Sequence, residues 1–587
     1  MKKVGLRTKI EASMVILLLL AVGIGSVMSV TRTITDSSDD VETFIRNSNG
    51  RYWAATGANI QVAIDDLTTG GTVSLPECNI SVSSSITLLD DVNILGVGKA
   101  SQLYLADGAD VDVLQITGKS NICIEKIYID GNNGTQTAYI GLIDIDGVSD
   151  NITIRDCYLH NSMKSSIDCQ EGSKNILVEG CHIEGINVEA DKYPGGIWFS
   201  GESCIARNNF IKDTYAAGII MEAASGYPSS KYHIIDGNEM TGRMGGGVYM
   251  EGTGSQNYMK SSNTTIVNNY VHDISSTAYA VPASSYSIGI IVTENSTCSN
   301  NRVVNVHKYG IEVLGNNSII SNNIIDDVEL YDGIYVTFGT PTCKVTITGN
   351  IITNVLRSGI NIGQDTYQAI VHDNVIRTCG DNGIVISMPA TGYISISGNF
   401  IYDIVAVGIE ITNCNSTITG NYLEDIRGSY GIYTAASAII KDNELHDVVA
   451  GIRADTDGTP QIGMIVSDNK IYDASNHCIF VRNFDWATIS GNQAYNIAYA
   501  GIIFEDATNA SITGNVLSGI GSWSGIKIDT CYDCIVTSNR CCDFTTGIEE
   551  ANTCSYNIYS LNNVRGCTNG ISESGDGNVN ANNLEPT

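Results

Sequence analysis

An all-β parallel solenoid is the fold class this sequence predicts, and three observations predict it. An eight-residue pattern, Ile-x-x-Asn-x-Ile-x-Asp, recurs with a Gly-Ile pair eight to ten residues after the Asn; Ile396–Asn399–Ile401–Asp403 with Gly408-Ile409 is one copy and Ile418–Asn421–Leu423–Asp425 with Gly431-Ile432 another. Within each copy apolar and polar residues alternate over short runs, which is strand periodicity. The composition suits such a chain: among 587 residues there are 60 Gly, only 8 Pro, and 16% charged side chains.

The elements follow in order. Lys2, Lys3, Arg7 and Lys9 precede an apolar run from Met14 to Val30. Residues 1–30 therefore read either as a signal peptide cut near Val27 and Ser29 or as a retained N-terminal membrane anchor. Both place the remainder outside the cell or at its surface, where disulfides are permitted. Residues 31–53 are polar and acidic and read as a linker. Residues 54–110 supply a cap and the first coils, with Ile60, Ala63, Ile64 and Leu67 on one face of a short helix that would close the open end. Residues 111–575 are the repeat. Its Asn column runs from Asn209 through Asn301, Asn399 and Asn492 to Asn562, in steps of 22 to 32 residues, with Cys157 and Cys181 in the same column upstream. Residues 576–587 form a polar tail without an apolar cap, which leaves the last coil to a partner chain, as in a homotrimer.

Each unit is thus a few short strands joined by turns, and no unit buries its apolar face alone. Stacking the units buries a continuous core. Equivalent Asn side chains can then bond to one another up the stack, glycines supply the sharp turns, and proline is scarce because ladders need nearly every backbone N–H. About 18 such coils, at about 4.8 Å each, would make a rod of roughly 85 Å.

These repeats, with the opening segment Ala58–Asp65, Gly70-Gly71-Thr72-Val73 and Val92-Asn93-Ile94-Leu95-Gly96, resemble the pectate-lyase-like superfamily. The resemblance spans about residues 54 to 575 and implies a single-stranded right-handed parallel β-helix with a short N-terminal capping helix. That superfamily contains polysaccharide lyases, glycoside hydrolases, epimerases, phage tailspikes, carbohydrate-binding modules and surface proteins without known chemistry, so the fold leaves function open. The Gly-His-Gly of polygalacturonases and the Asp-Pro-His-Asp of alginate epimerases are absent from this chain.

Candidate site residues come from loop length and from the outward positions of the Gly-Ile strands. The units ending at Asn209, Asn238, Asn269 and Asn301 are the longest contiguous group, and excess loop is usually functional or disordered. Two and four residues after each glycine, the outward pairs are Trp198 and Ser200, Ile220 and Glu222, Tyr249 and Glu251, Ile291 and Thr293. Glu222 and Glu251 would therefore stack on neighbouring coils about 5 Å apart, near the carboxylate separation of a retaining glycosidase, and are the candidate catalytic pair. Trp198, Tyr249, Arg243 and His272 are the candidate substrate-binding residues. A stacked acidic pair is also what a long solvated solenoid produces by chance.

Asp403, Asp425, Asp447 and Asp473 form a column able to hold Ca²⁺ through oxygen ligands, or simply to accept hydrogen bonds from turn amides. His160, His272 and His446 share a column on distant coils and read as solvated surface. Cys157 with Cys181, and Cys531 with Cys554, are register-matched disulfide candidates; buried free thiols and metal ligation are the alternatives. A net charge of −31 argues against nucleic acid, whose phosphates demand clustered Lys and Arg. The leading expectation is an exported surface protein that binds polysaccharide or cell-surface glycan in a lateral groove beside coils 209–301, with cleavage by a lyase or hydrolase mechanism left open. The alternatives are a non-enzymatic structural or adhesive surface protein and a cation-handling β-helix resembling the NosD family. No cofactor is required by this reading, and Ca²⁺ is the one the Asp column would admit.

Overall fold

The structure, a computed structural model, describes residues 44–586 except 171, 187–194, 224–229, 245, 253–260, 275–286, 338–342, 365, 390, 457, 459 and 522, and except the side chains of residues 223, 249–252 and 343. It is a right-handed parallel β-solenoid of about 19 turns with a single short α-helix among the described residues. Each coil contributes one strand to each of three parallel sheets. In a mid-rod coil the first-sheet strand is Tyr393–Ser397, the second-sheet strand Phe400–Ile404 and the third-sheet strand Ile409–Ile411. The next coil repeats them in register, pairing Ile396 with Ile418, Ile401 with Leu423 and Ile409 with Ile432. Ile396, Ile401, Ile409 and Ile411 are all fully buried, so alternate residues of three short strands line one continuous apolar axis.

The corner between the first and second sheets explains the repeat. The residue before each column Asn adopts a left-handed conformation, for example Asn268 (φ 57°), Asp373 (φ 56°), Gly398 (φ 64°) and Gly420 (φ 65°). Gly, Asn and Asp tolerate that region best, which accounts for their dominance at this position. The bend turns the Asn inward, and the side chains bond in series from Asn209 to Asn583. Asn399 Nδ2 donates to Asn421 Oδ1 (2.9 Å) and to the Val371 carbonyl (3.0 Å), while Asn399 Oδ1 accepts from the Asn374 amide (3.0 Å) and from Asn374 Nδ2 (3.0 Å). A buried polar column is tolerated because every member is satisfied.

The glycines that open the third-sheet strands have a different cause from the one expected. Gly408 has no positive φ; a Cβ there would stand 2.4 Å from Leu423 Cδ2 and 2.5 Å from the Gly431 carbonyl oxygen on the next coil. Close approach between coils demands glycine at this column, not a turn.

Both ends depart from expectation. Within the presumed linker, Phe44–Asn47 and Tyr52–Ala54 pair antiparallel, and the first of these strands continues onto Gly71–Ser74. Together with the helix Gly57–Asp65, N-capped by Thr56 and burying Ile60, Ala63 and Ile64, they close the N-terminal end. Ile45 is fully buried there, the apolar contribution that a polar composition concealed. The tail is not free either. Val579 pairs with Ile558 in the first sheet, Asn583 extends the Asn ladder, and Glu585 covers the face of Gly570.

All sixteen cysteines with described side chains are free thiols. Cys157 and Cys181 are stacked as the register requires, yet each thiol turns to a carbonyl of the preceding coil, Ile124 and Ile154 respectively, at 3.7 Å. Cys531 likewise faces the Phe504 carbonyl (3.5 Å), and the Cys554 sulfur accepts from the Cys531 amide (3.3 Å). These cysteines stand as buried free thiols in the core, the arrangement weighed beside the disulfide, and burial pushes the Cys181 thiol far above its ordinary range.

Candidate functional site

The outward face of the third sheet carries the chemistry. One column runs in register through Asp144, Asp168, Trp198, Ile220 and Tyr249, and resumes through Ile291, Glu312, Tyr335 and Asn361. Glu222 and Glu251 are paired residues of adjacent strands, as the spacing predicted. Glu222 is 4% exposed, while the side chains of Tyr249 and Glu251 lie outside the described residues. Trp198 is half-buried, and its indole N–H donates to Ser200 Oγ (2.9 Å).

Arg243 and His272 do not join this face. They belong to the second-sheet side of the coil. Arg243 lies against Asp213, its amide donating to Oδ1 at 2.9 Å. His272 stacks on Tyr270 with centroids 4.1 Å apart and contacts Asp273 Oδ2 (2.8 Å) and Glu239 Oε1 (3.3 Å). Two of the six expected site residues are therefore on the wrong sheet, because proximity in sequence across a coil corner is not proximity on one face.

Two clusters on the third sheet were missed. In the first, Lys164 Nζ bonds Asp144 Oδ1 (3.1 Å) and pairs with Asp168, and Gln170 Nε2 donates to Asp144 Oδ1 (2.9 Å). Asp144 and Asp168 are only 8% and 6% exposed. Two buried carboxylates share one ammonium. Burial opposes charge on Lys164, but the carboxylates outweigh it and hold the amine above its usual range; burial raises Asp168 against the pull of Lys164. In the second cluster Glu312 is pushed up to about 7 by burial, with Lys308 only partly opposing. Tyr309 and Tyr335 stack beside it with centroids 4.7 Å apart. Asp332, buried nearby, accepts from the Ser358 amide and from Asn361 Nδ2, both at 3.0 Å.

Counting two residues on from Gly310 would have found Glu312. The same count misses Asp144 and Asp168, because Leu142 and Ser166 stand where other coils have glycine.

The four Asp residues proposed for Ca²⁺ occupy left-handed positions at the ends of second-sheet strands, with φ between 49° and 58°. Three of them face donors: the Arg427 guanidinium pairs with both Asp403 and Asp425, Thr378 Oγ1 donates to Asp403 (2.9 Å), and Asn496 Nδ2 donates to Asp473 (3.0 Å). Turn geometry accounts for this column, and its carboxylates do not converge. A recess of about 600 Å³ on the first sheet, bounded by Tyr393, Ser416 and Gln461, carries no carboxylate, imidazole or cation.

The family described as right handed beta helix region matches residues 80–264, 195–342, 288–445 and 450–585. The chain belongs to the right-handed β-helix family. Solved structures similar to this β-helix include PfbA, a surface adhesin of Streptococcus pneumoniae (14% identity, 65% of this chain and 88% of that one, TM-score 0.40). Others are the N-terminal fragment of bacteriophage Phi29 gene product 12 (13%, 89% and 90%, TM-score 0.41) and a mutant tailspike of E. coli bacteriophage HK620 (13%, 58% and 71%, TM-score 0.40). Such identities are too low to carry a function across. Among the described residues no helix is long and apolar enough to cross a membrane, and the expected export segment lies outside them.

Proposed function

We propose that this β-helix is an exported or surface-held rod that binds an extended glycan along the outward face of its third sheet, between Asp144 and Tyr335. The observation that carries the reading is the mixture of buried carboxylates and aromatic planes in one register-matched column. Aromatic faces suit the apolar faces of sugar rings, and convergent carboxylate oxygens suit their hydroxyls. The column spans seven strand steps, roughly 34 Å at about 4.8 Å each, which suits a chain of sugars better than a single one.

Charge narrows the ligand. Asp144, Asp168, Glu222 and Glu312 face outward here against Lys164 and Lys308, and Arg243 and His272 stand elsewhere. A polyuronate would meet like charge, so a neutral polysaccharide fits better. Affinity electrophoresis of the full chain through gels containing neutral or uronate polysaccharides tests this. Retardation by a neutral polymer, weakened in Trp198→Ala and Asp168→Asn, is expected. Absence of retardation in every gel, or retardation indifferent to both substitutions, would overturn the reading.

A second reading rests on Glu312. A half-buried carboxyl that titrates near neutrality is matched to general acid work, so cleavage of the bound glycan is the enzymatic version of the same proposal. Release of reducing ends by the wild-type chain and its loss in Glu312→Gln would support it; binding without release leaves the rod a binding protein.

A further inference from the structure

On the second sheet, away from the glycan face, His160 ends the strand Tyr158–His160, and His182 and Glu184 flank Ile183 on the next coil. The register sets His160 against Glu184 and Tyr158 against His182. His160 was expected to be an isolated surface imidazole. Instead one ring nitrogen from each histidine and one Glu184 oxygen lie within 4.8 Å of one another, the one such grouping among the described residues. We propose that His160, His182 and Glu184 form a binding site for a divalent transition ion of the zinc class.

Several observations support the assignment. The donor set, two imidazoles and a carboxylate, suits Zn²⁺ and its first-row neighbours and not Ca²⁺ or Mg²⁺, which take oxygen. His160 Nε2 is buried with no hydrogen-bond partner among the described residues, an uncompensated cost in a protein and an available lone pair for an ion. Glu184 already receives His182 Nε2 at 3.1 Å through Oε2 and Lys212 Nζ at 3.0 Å through Oε1. Lys212 therefore leaves Oε2 to the site while holding the carboxylate in place.

The two imidazoles are stacked, with centroids 5.3 Å apart and planes 5° from parallel, between Tyr128 and Phe210. Parallel rings cannot aim lone pairs at one ion, so binding requires each to turn about χ2. Tetrahedral zinc with bonds of about 2.0–2.1 Å places its ligand atoms about 3.4 Å apart, a closure that side-chain rotation supplies without moving the strands. Three protein ligands leave a fourth position for solvent.

The stack also provides the test. His160→Phe and His182→Phe keep an aromatic ring in the column and remove the ligand atom, so a loss of metal is not a loss of fold. His446 is the control: it stacks on Tyr472 at 4.6 Å and contacts Glu444, with no second imidazole beside it. Equilibrium dialysis of the full chain against Zn²⁺, with accessible thiols alkylated, is expected to show one ion per chain. Affinity should fall at least tenfold in His160→Phe and in His182→Phe and hold in His446→Phe, with circular dichroism unchanged in all three. Co²⁺ substitution should give ligand-field absorption of nitrogen and oxygen ligation without thiolate charge transfer. Absence of bound metal, retention unaffected by both Phe substitutions, or a purely thiolate spectrum would overturn the proposal.

Discussion

Asn399→Ala tests the ladder where it is most regular. The substitution removes the acceptor of the Asn374 backbone amide, which donates to Asn399 Oδ1 at 3.0 Å. Asn374 Nδ2 loses the same oxygen but keeps the Ile347 and His372 carbonyls, each at 3.0 Å. One buried N–H is therefore orphaned, at a cost of about 1–3 kcal/mol, and the bonds from Asn399 Nδ2 disappear at about 1 kcal/mol net each. Together these give a local loss of about 3–5 kcal/mol, roughly 100-fold to a few thousand-fold in the opening equilibrium. Amide hydrogen exchange resolved at Asn374 reads that number directly. The Asn350 amide, which donates to Asn374 Oδ1 (3.0 Å), is the internal control and should change far less. Global unfolding is the poorer assay, since a solenoid need not unfold in one step. Unchanged protection at Asn374 would show that the ladder is ornament on a rod held by its apolar axis.

Four further outcomes follow from the geometry. Gly408→Ala drives a Cβ to 2.5 Å from the Gly431 carbonyl and should destabilise the adjoining coils by about 1–3 kcal/mol, visible as local exchange. Lys164→Met leaves two buried carboxylates without their cation; a loss of about 3–5 kcal/mol is expected, relieved as pH falls and the carboxyls protonate. Glu312, whose pKa is raised by burial from 4.5 to about 7, binds a proton in the folded chain that the unfolded chain has released, so stability falls as pH rises from about 4.5 to 7 and is flat above; Glu312→Gln should abolish that decline, measured by denaturation at pH 5 and pH 8. Thiol titration should modify the half-buried Cys78, Cys123 and Cys542 in the native chain and reach Cys157, Cys181, Cys531 and Cys554 only after denaturation; native disulfides recovered from the purified chain would refute the free-thiol column.

Much of the fold was legible because it repeats. The Asn column, the left-handed residue before it and the inward Ile positions recur in nearly every unit, so each copy corroborates the others. The ends were less legible, since Ile45 and Val579 each occur once, in polar surroundings that mask a single buried or paired strand. The site was legible only in part. Glu222 and Glu251 follow from the strand count, whereas Arg243 and His272 were assigned by closeness in sequence and the coil corner carries them to another sheet. Lys164 comes from the corner segment before its third-sheet strand, where no periodicity announces a side chain that folds back over two carboxylates. The imidazole pair was obscured because His182 sits one residue after the column position and His160 three, a pairing that only the strand register reveals.

The glycine column has an outcome for how such a rod can change. Where the third-sheet strands begin, coil meets coil through one repeated contact, a glycine against the next glycine's carbonyl, so a whole unit can be gained or lost between Asp168 and Glu312 without altering that contact. Each such event would move the Lys164 cluster and the Glu312 cluster apart or together by one strand spacing, about 4.8 Å, and by nothing in between. The separation of the two clusters is thus quantised, and the rod is a ruler whose graduations are coils: the reach from one cluster to the other can shift only in whole steps.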